Sequence, residues 1–172
     1  MFSYPRIKNK IVARIITRFP SLAKRLVDSY IPRESEDIPW TPITKPLHQS
    51  RVALITTAGV HHKTQTPFDM QDPDGDPTYR EINAGTSLSD LMITHDYYDH
   101  ADADKDMSIV FPLDRLNEFQ QEKIIGPLAD FHYSFMGHID GPHVSTLITR
   151  SAPEIARKLK AGATDIALLT PG

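Results

Sequence analysis

Cysteine is absent from the 172-residue sequence, so disulfides and thiol catalysis within these residues are excluded, and a zinc site would have to use histidine and aspartate. No apolar run approaches the roughly 18 residues that span a bilayer, and the N-terminus has no signal segment. The small net charge of -3 gives no support for nucleic-acid binding. These absences predict a soluble cytoplasmic protein without a membrane span.

The N-terminal residues have the pattern of an amphipathic arm. Apolar residues recur at helical spacing from Ile7 to Tyr30, with basic residues between them, and Pro20 divides the pattern into two short helices. We therefore predict a helical arm and proline-rich connector over residues 1–37, and an α/β domain over residues 38–172. We expect the arm to pack its apolar stripe on its own domain, with a partner or a membrane surface as the alternative.

Apolar runs alternate with helical patterns in the rest of the chain. Strands are predicted at residues 51–60, 79–82, 91–93, 106–111, 131–136 and 164–169, and helices at residues 112–126 and 151–161. The second helix should begin at a capping box that starts with Ser151. Near-continuous apolar runs are typical of parallel strands buried on both faces. The pattern predicts a three-layer α/β fold with a mostly parallel sheet, of the Rossmann or flavodoxin type, preceded by the helical arm.

One stretch concentrates chemically active side chains. Directly after the strand predicted at residues 91–93, the stretch from Thr94 to Asp104 contains two histidines, four aspartates and two tyrosines. Histidines also follow the first strand, at His61 and His62, and the fifth, at His138 and His143. Polar loops at strand ends are favoured positions for binding and catalysis in open α/β sheets.

The same stretch allows a metal-site interpretation. Thr94-His95-x-Tyr97-x-Asp99-His100 resembles the Thr-His-x-His-x-Asp-His signature of metallo-β-lactamase-like hydrolases, but Tyr97 replaces one metal-binding histidine. A single metal held by His95, Asp99, His100 and His138 remains an alternative, because three or four converging nitrogen and oxygen ligands suffice.

The acidic string from Asp72 to Asp76 does not match an EF-hand. An EF-hand loop needs glycine at its sixth position and glutamate at its twelfth, whereas Gly75 is fourth from Asp72 and Asn83 is twelfth. We interpret the string as turns in which aspartate side chains bond nearby backbone amides.

Several short motifs together resemble the selenoprotein B family of glycine, sarcosine, betaine and D-proline reductases. They run in order over about residues 38 to 172 and include His95 to Asp104, Phe111-Pro112-Leu113-Asp114-Arg115-Leu116, Phe135-Met136-Gly137-His138-Ile139 and Leu168-Leu169-Thr170-Pro171-Gly172. Further matches are Pro39-Trp40-Thr41-Pro42, Lys45-Pro46-Leu47, Arg51 to His61, Pro67-Phe68-Asp69 and Gly75-Asp76-Pro77. The resemblance is specific for the family and weak for the individual substrate.

The resemblance implies a redox residue outside the sequence. In the family, the strand equivalent to residues 166–171 leads into a selenocysteine or cysteine at the start of a helix, where backbone amides and the helix dipole stabilise its anion. Selenocysteine is encoded by UGA, which is commonly read as a stop. We therefore expect the catalytic residue immediately after Gly172, no catalytic residue or cofactor in this chain, and no reductase activity of the chain alone.

The resemblance also implies a substrate and a partner. The expected substrate is a small amino acid or amine, and in glycine reductase a pyruvoyl group on a partner subunit holds the substrate amine, so a partner reductase subunit or a homo-oligomer is expected. The predicted substrate-facing residues are Gly59, His61, Asp96, Tyr98, His100, His138 and Thr170. Histidine suits proton transfer because it titrates near neutral pH. The alternatives are a non-catalytic binding or regulatory module and a His/Asp metal-dependent hydrolase.

Overall fold

The computed structural model describes residues 4–19, 21, 24, 28 and 41–172. Six strands are formed: β1 (Val52–Thr56), β2 (Val60–His62), β3 (Arg80–Asn83), β4 (Leu91–Ile93), β5 (Phe131–Ser134) and β6 (Ile166–Thr170). The helices are α1 (Tyr4–Arg18), α2 (Leu113–Gln121), α3 (His143–Thr146) and α4 (Ala152–Ala161). The predicted connector and most of the second arm helix lie outside the described residues.

A four-stranded sheet forms the centre of the domain. Its strand order is β3-β5-β1-β6, with β5 and β6 parallel to β1 and β3 antiparallel to β5. The apolar run that predicted a parallel strand therefore forms β1, between two parallel neighbours, and the predicted mostly parallel α/β sheet is confirmed. The carboxyl ends of β1, β5 and β6 consequently meet at one edge of the sheet.

Helices cover both faces of this sheet. On one face, Leu113 and Leu116 of α2 join Val52 and Leu54 in the largest apolar cluster. On the other face, Ile155 of α4 packs with Tyr133 and Phe135. The three layers follow from the alternation of side chains along β1, which buries apolar groups on both sides.

The run from residue 51 to 60 is not one strand. β1 ends at Thr56, Gly59 adopts a φ of 72°, and β2 then pairs with β4 in a separate antiparallel sheet. A Cβ on Gly59 would lie 2.5 Å from the carbonyl oxygen of Thr94, so the close approach of the two segments requires glycine here.

Three other sequence predictions differ from the structure. Residues 107–109 form a 3-10 turn instead of the predicted edge strand, and α2 ends at Gln121, because Lys123 turns with a φ of 60°. Ser151 does not cap a helix. A helical segment begins at His143, passes through a π turn at Leu147–Ser151, and the Ser151 hydroxyl donates to the carbonyl of Pro77 at 2.7 Å.

Helix α1 packs in the opposite orientation to the predicted one. Its isoleucines at 7, 11 and 15 are 46%, 52% and 43% exposed, whereas Ala13 is buried. The side that faces the domain carries Arg6 and Lys10, which pair with Asp96. Ion pairing to a buried carboxylate, in place of burial of the apolar stripe, therefore sets the orientation of α1.

Strand β6 is more exposed than its sequence predicts. Leu168 is 39% exposed and Leu169 is 69% exposed, although the run of apolar residues suggested a buried strand. β6 pairs with β1 on one side and forms the outer strand of the described sheet. In the described part of the chain, no helix is long and apolar enough to cross a membrane.

Candidate functional site at the carboxyl edge of the sheet

The turns that follow β1, β5 and β6 contact one another. The amide of Gly172 donates to the hydroxyl of Thr57 at 3.2 Å, and a Cβ on Gly172 would lie 2.5 Å from the Cα of Ala58. A Cβ on Gly137 would lie 2.5 Å from the carbonyl oxygen of Thr57. We call this region, together with the start of the loop after β4 (His95–Tyr98), the carboxyl edge.

His95 is the buried polar side chain at the centre of the carboxyl edge. It is 6% exposed, and its Nδ1 accepts a hydrogen bond from the backbone amide of Tyr97 at 3.1 Å. Its Nε2 lies 3.3 Å from the position that a Cβ on Gly137 would occupy. Because Nδ1 is an acceptor, the neutral ring must carry its proton on Nε2.

Burial sets the charge state of His95. Desolvation, reinforced by the nearby His100 and His138, lowers the pKa of His95 to about 4. The imidazole is therefore neutral near pH 7, with a fixed N–H at Nε2. Such a group can donate a hydrogen bond to a substrate oxygen without introducing a charge.

Tyr98 ties the loop to the end of β1. Its hydroxyl donates to the carbonyl of Ala58 at 3.2 Å, and its ring meets the ring of His95 edge-on with centroids 4.7 Å apart. Burial raises the pKa of Tyr98, so the hydroxyl stays protonated and acts as a donor. Tyr98 thus holds His95 in position against the sheet.

Asp96 points away from the sheet edge and towards α1. Its side chain is 1% exposed and pairs with Arg6 at 2.5 Å and with Lys10 at 3.4 Å. Burial alone would raise the pKa of Asp96, but the hydrogen bond and charge of Arg6, with the charge of Lys10, hold that pKa below its usual value. Asp96 is therefore an ionised anchor for α1.

His61 is held within the small sheet. It is fully buried; its Nδ1 donates to the carbonyl of His62 at 2.9 Å, and its Nε2 accepts from the Thr94 hydroxyl at 2.8 Å. Burial lowers the pKa of His61. With both nitrogens bonded inside the protein, His61 braces β2 against the start of the site loop and presents no free polar atom to a substrate.

His100 and His138 lie on either side of this region. His100 bonds Asp104 through Nδ1 at 2.8 Å, and its ring meets Tyr98 edge-on. His138 stacks on Tyr97 with centroids 4.0 Å apart, and its Nε2 donates to the carbonyl of Pro73 at 2.8 Å. The two histidines therefore lie on either side of the loop and do not line the same cavity.

The remaining predicted site residues, Gly59 and Thr170, join neighbouring segments of the chain through hydrogen bonds to backbone carbonyls. The amide of Gly59 donates to the carbonyl of Phe135 at 2.7 Å, which joins the turns after β1 and β5. The hydroxyl of Thr170 donates to the carbonyl of Val110 at 2.7 Å, as does that of Thr56 at 3.0 Å. Both threonines therefore anchor the ends of neighbouring strands to the segment before α2.

The geometry gives the metal-site alternative no support. Among the residues that the structure describes, no three His, Asp or Glu side chains converge so as to hold a metal ion. In particular, the side chains of Asp99, His100 and His138 bond to separate neighbours.

Two contributors were missed by sequence reasoning. Thr57 joins the strand ends, and Arg6 anchors α1 to the loop. Gly137, which stands in the motif Phe135-Met136-Gly137-His138-Ile139 of the resemblance, also joins the strand ends. Arg6 carried no signal in the sequence, because its partner is 90 residues away.

Comparison with known proteins gives the family. Residues 23–172 match the model of the glycine/sarcosine/betaine reductase selenoprotein B family. The chain is 39% identical over 133 residues to the D-proline reductase subunit gamma of Acetoanaerobium sticklandii. It is 31% identical over 136 residues to the glycine reductase complex component B subunit gamma of Carboxydothermus hydrogenoformans.

The chain spans only part of these relatives. The matched region covers 77% of this chain in both cases, but 53% of the D-proline reductase subunit and 30% of the glycine reductase subunit. No solved structure matches the chain. Since the family model matches most of its length, the chain belongs to the glycine/sarcosine/betaine reductase selenoprotein B family.

Proposed function

We propose that this chain forms the substrate-facing part of a reductase that cleaves the carbon–nitrogen bond of a small amino acid or amine. Membership of the family and the names of the relatives support a substrate of the glycine, sarcosine, betaine or D-proline class. The observation that carries the proposal is the meeting of three strand ends with the buried His95 at the carboxyl edge. Open α/β sheets bind their ligands at such an edge.

The reaction needs a reducing nucleophile that the sequence lacks. Cleavage of a carbon–nitrogen bond by reduction takes up two electrons and two protons, and leaves a hydrogen on the carbon and on the nitrogen. The sequence contains no cysteine, so we place the nucleophile, a selenocysteine or cysteine, in a segment that follows β6. On this proposal the 172 residues are a truncated form without reductase activity of their own.

The exposure of β6 supports such a segment. Leu169 lines an apolar groove of about 380 Å³ between the sheet and α4, together with Ile55, Phe135 and Ile155. An apolar groove with the exposed Leu169 in its wall is a surface that a further helix would bury with a gain in stability. The greater length of the relatives leaves room for that helix.

The residues of this chain would bind and orient the substrate. His95 would donate from Nε2 to a substrate oxygen, and as a neutral imidazole it is a hydrogen-bond donor and not a source of protons near pH 7. Tyr98 would keep His95 in place. The selenolate or thiolate would supply the nucleophile, and a dithiol-type donor would supply the electrons.

We also propose a partner subunit. Two relatives are named as subunits of component B of a glycine reductase complex, and these names support assembly of this chain with another reductase subunit.

The first test is to read the coding DNA beyond the codon for Gly172. We expect an in-frame UGA followed by codons for a cysteine-containing helix. A UAA or UAG codon, or a frame that encodes nothing helical, would overturn the placement of the nucleophile after β6.

The second test measures the reaction. The selenium-containing protein is produced together with its partner subunits and supplied with a dithiol and D-proline, and formation of the ring-opened amino acid is followed by mass spectrometry. We expect product from this form and none when selenocysteine is replaced by serine. Absence of product from D-proline, glycine, sarcosine and betaine alike, with the partner subunits present, would contradict the proposed function.

A further inference from the structure

Helix α1 presents an apolar face to solvent. Ile7, Ile11 and Ile15 are spaced by four residues, so they lie on one side of the helix, and all three are exposed. Phe19 extends this side by one turn, because its amide donates to the carbonyl of Ile15 at 2.9 Å, and it is 54% exposed. These four residues, which we call the outward face, belong to no apolar cluster of the described part of the chain.

Polar contacts hold the opposite side of α1 against the domain. Arg6, Lys10 and Ala13 share that side, since they are spaced by four and three residues. Arg6 and Lys10 pair with the buried Asp96, and Ala13 is buried. The helix therefore cannot roll to bury its outward face without breaking both ion pairs. A contiguous apolar face that is kept in solvent in this way marks a surface for another molecule.

The charge of α1 indicates which molecule that is. The helix carries five basic residues and no acidic residue, and Lys8, Arg14 and Arg18 among them are exposed. The chain as a whole has a net charge of -3, so the part outside α1 is net acidic. The positive charge is thus concentrated on α1, and an anionic surface would attract this side of the protein.

The side chains on the exposed part of α1 fit a lipid surface better than a protein. A second copy is disfavoured, because the exposed cations of two helices would meet with no acidic side chain on either helix. A protein partner usually forms hydrogen bonds through donors and acceptors on both sides. Thr17 is the one neutral polar side chain among the exposed residues of α1, and its hydroxyl donates within the helix to the carbonyl of Ala13 at 3.0 Å. An anionic lipid surface requires apolar and cationic side chains only.

We propose that α1 is a docking helix that lies in the plane of an anionic lipid surface. The outward face enters the boundary between headgroups and acyl chains, and the exposed cations contact the lipid phosphates. The ion pairs with Asp96 then hold the domain on the water side of the helix. α1 precedes residue 23, where the match to the family model begins, so this docking is an addition to the matched domain.

Vesicle binding tests the choice of surface. The 172-residue chain is sedimented with vesicles of phosphatidylcholine alone, or of phosphatidylcholine and phosphatidylglycerol in equal parts. We expect a partition coefficient at least about tenfold higher on the anionic vesicles, and a decrease as salt is added. Equal binding to both kinds of vesicle, or no binding to the anionic one, would overturn the proposal.

Paired substitutions test the outward face. Ile11→Ser with Ile15→Ser should lower the partition coefficient by at least about tenfold, because two apolar side chains no longer enter the lipid. The matched control is Ile124→Ser with Ile148→Ser, which removes two exposed isoleucines outside α1. Unchanged hydrogen exchange of the α1 amides in the first pair shows that α1 itself stays folded. An equal loss of binding in both pairs would contradict docking through α1.

A second pair of substitutions tests the cations. Lys8→Gln with Arg18→Gln should weaken binding to the anionic vesicles by about fivefold for each cation removed. Lys123→Gln with Lys160→Gln is the control, because it changes the net charge equally at exposed positions outside α1. The same loss in both pairs would mean that the net charge, and not α1, sets the binding.

A spin label measures the depth of the helix. The sequence contains no cysteine, so Ile11→Cys provides a single labelling site, and Ile124→Cys provides a control site. On anionic vesicles, the label at position 11 should become more accessible to oxygen than to a water-soluble nickel chelate, whereas the label at position 124 should stay in water. A label at position 11 that stays in water would overturn the proposal. A dimer in solution that the serine pair at positions 11 and 15 abolishes would also overturn it, with a second copy as the occupant.

Discussion

The guanidinium of Arg6 lies 2.5 Å from the carboxylate of Asp96, whose side chain is 1% exposed. The two residues are 90 positions apart, and their pair joins the N-terminal helix to the loop that carries His95. Asp96 therefore fixes the orientation of α1 against the domain.

Arg6→Gln should release α1 from the domain. The change leaves the buried Asp96 with only Lys10 at 3.4 Å, and loss of a partner for a buried charge costs about 1–3 kcal/mol. Because the pKa of Asp96 is held low, this stabilisation is present above the ordinary aspartate pKa and is lost as the pH falls through the lower value. Hydrogen exchange of the α1 amides at pH 7 measures the release. Lys8→Gln serves as control, and unchanged exchange in Arg6→Gln would contradict the anchoring role.

His95→Gln should impair catalysis more than folding. In the selenium-containing enzyme we expect kcat to fall by about tenfold to a hundredfold, since one oriented hydrogen-bond donor at the carboxyl edge is lost. His61→Gln is the comparison, because both nitrogens of His61 bond inside the protein. That variant should lower stability with a smaller effect on kcat. A larger loss of kcat in His61→Gln would contradict the assignment of the two histidines.

Stability should fall as the pH drops from about 6.5 to about 4. Burial lowers the pKa of His132 to about 4, as it does for His95, so the unfolded chain binds more protons in this range. Each histidine then contributes about 3 kcal/mol that is present in full above pH 6.5 and is lost as the pH falls towards 4. Urea unfolding at a series of pH values measures the slope.

The His132→Gln variant identifies the source of that slope. Glutamine removes the titrating group, so the slope between pH 4 and 6.5 should become shallower by the contribution of His132, while the contributions of His95 and His61 remain. His48→Gln is the control, because His48 is exposed. The same slope in His132→Gln and in the unmodified chain would show that His132 does not titrate as proposed.

Gly59→Ala should destabilise the protein by at least about 2 kcal/mol. Its φ of 72° disfavours any side chain, and the new Cβ would lie 2.5 Å from the Thr94 carbonyl oxygen. Gly162→Ala is the matched control: φ there is -78° and the nearest atom would be 3.4 Å away, so its effect should stay below about 1 kcal/mol. Thermal unfolding compares the two, and equal effects would argue against a close approach at Gly59.

Paired serine substitutions at Ile11 and Ile15 should leave α1 in place. Both side chains are exposed, so each change should cost less than about 0.5 kcal/mol. Ala13→Leu should instead loosen α1 by about 1–3 kcal/mol, because Ala13 is 5% exposed and lies on the same face of α1 as Arg6 and Lys10, which pair with Asp96. Hydrogen exchange of the α1 amides distinguishes the two variants. Faster exchange in the serine pair than in Ala13→Leu would mean that the apolar stripe faces the domain.

The main features of the sheet could be predicted because they are encoded locally. β1, β5 and β6 each arise from a short apolar or aromatic run, and such runs specify strands without distant information. The aspartate turns were also predictable: Asp72 accepts from the amide of Asp74 at 2.9 Å, and Asp76 accepts from that of Thr78 at 2.8 Å. These bonds join residues two positions apart.

The features that sequence reasoning missed depend on distant partners. The amphipathic pattern of α1 does not reveal which face packs, because the buried Asp96 decides it. The capping box at Ser151 resembles a helix start, yet its hydroxyl bonds Pro77, 74 residues earlier. His61 was predicted as a site residue, but in the structure the Thr94 hydroxyl donates a hydrogen bond to its Nε2. Candidate site residues can therefore be identified from the sequence. Tertiary contacts decide how their side chains are oriented and which of their polar atoms remain free to bind a ligand.

The outer edge of β6 has a consequence for how the chain behaves in concentrated solution. The strand Ile166–Thr170 contains no charged residue and no proline, the usual devices that keep an edge strand from pairing with another chain. In the described sheet its outer backbone amides and carbonyls face no further strand. An extended peptide of matching hydrophobicity can add there as a fifth strand, and a second copy can do the same. Self-association of this chain should therefore begin at β6 and should be suppressed by a lysine at position 168.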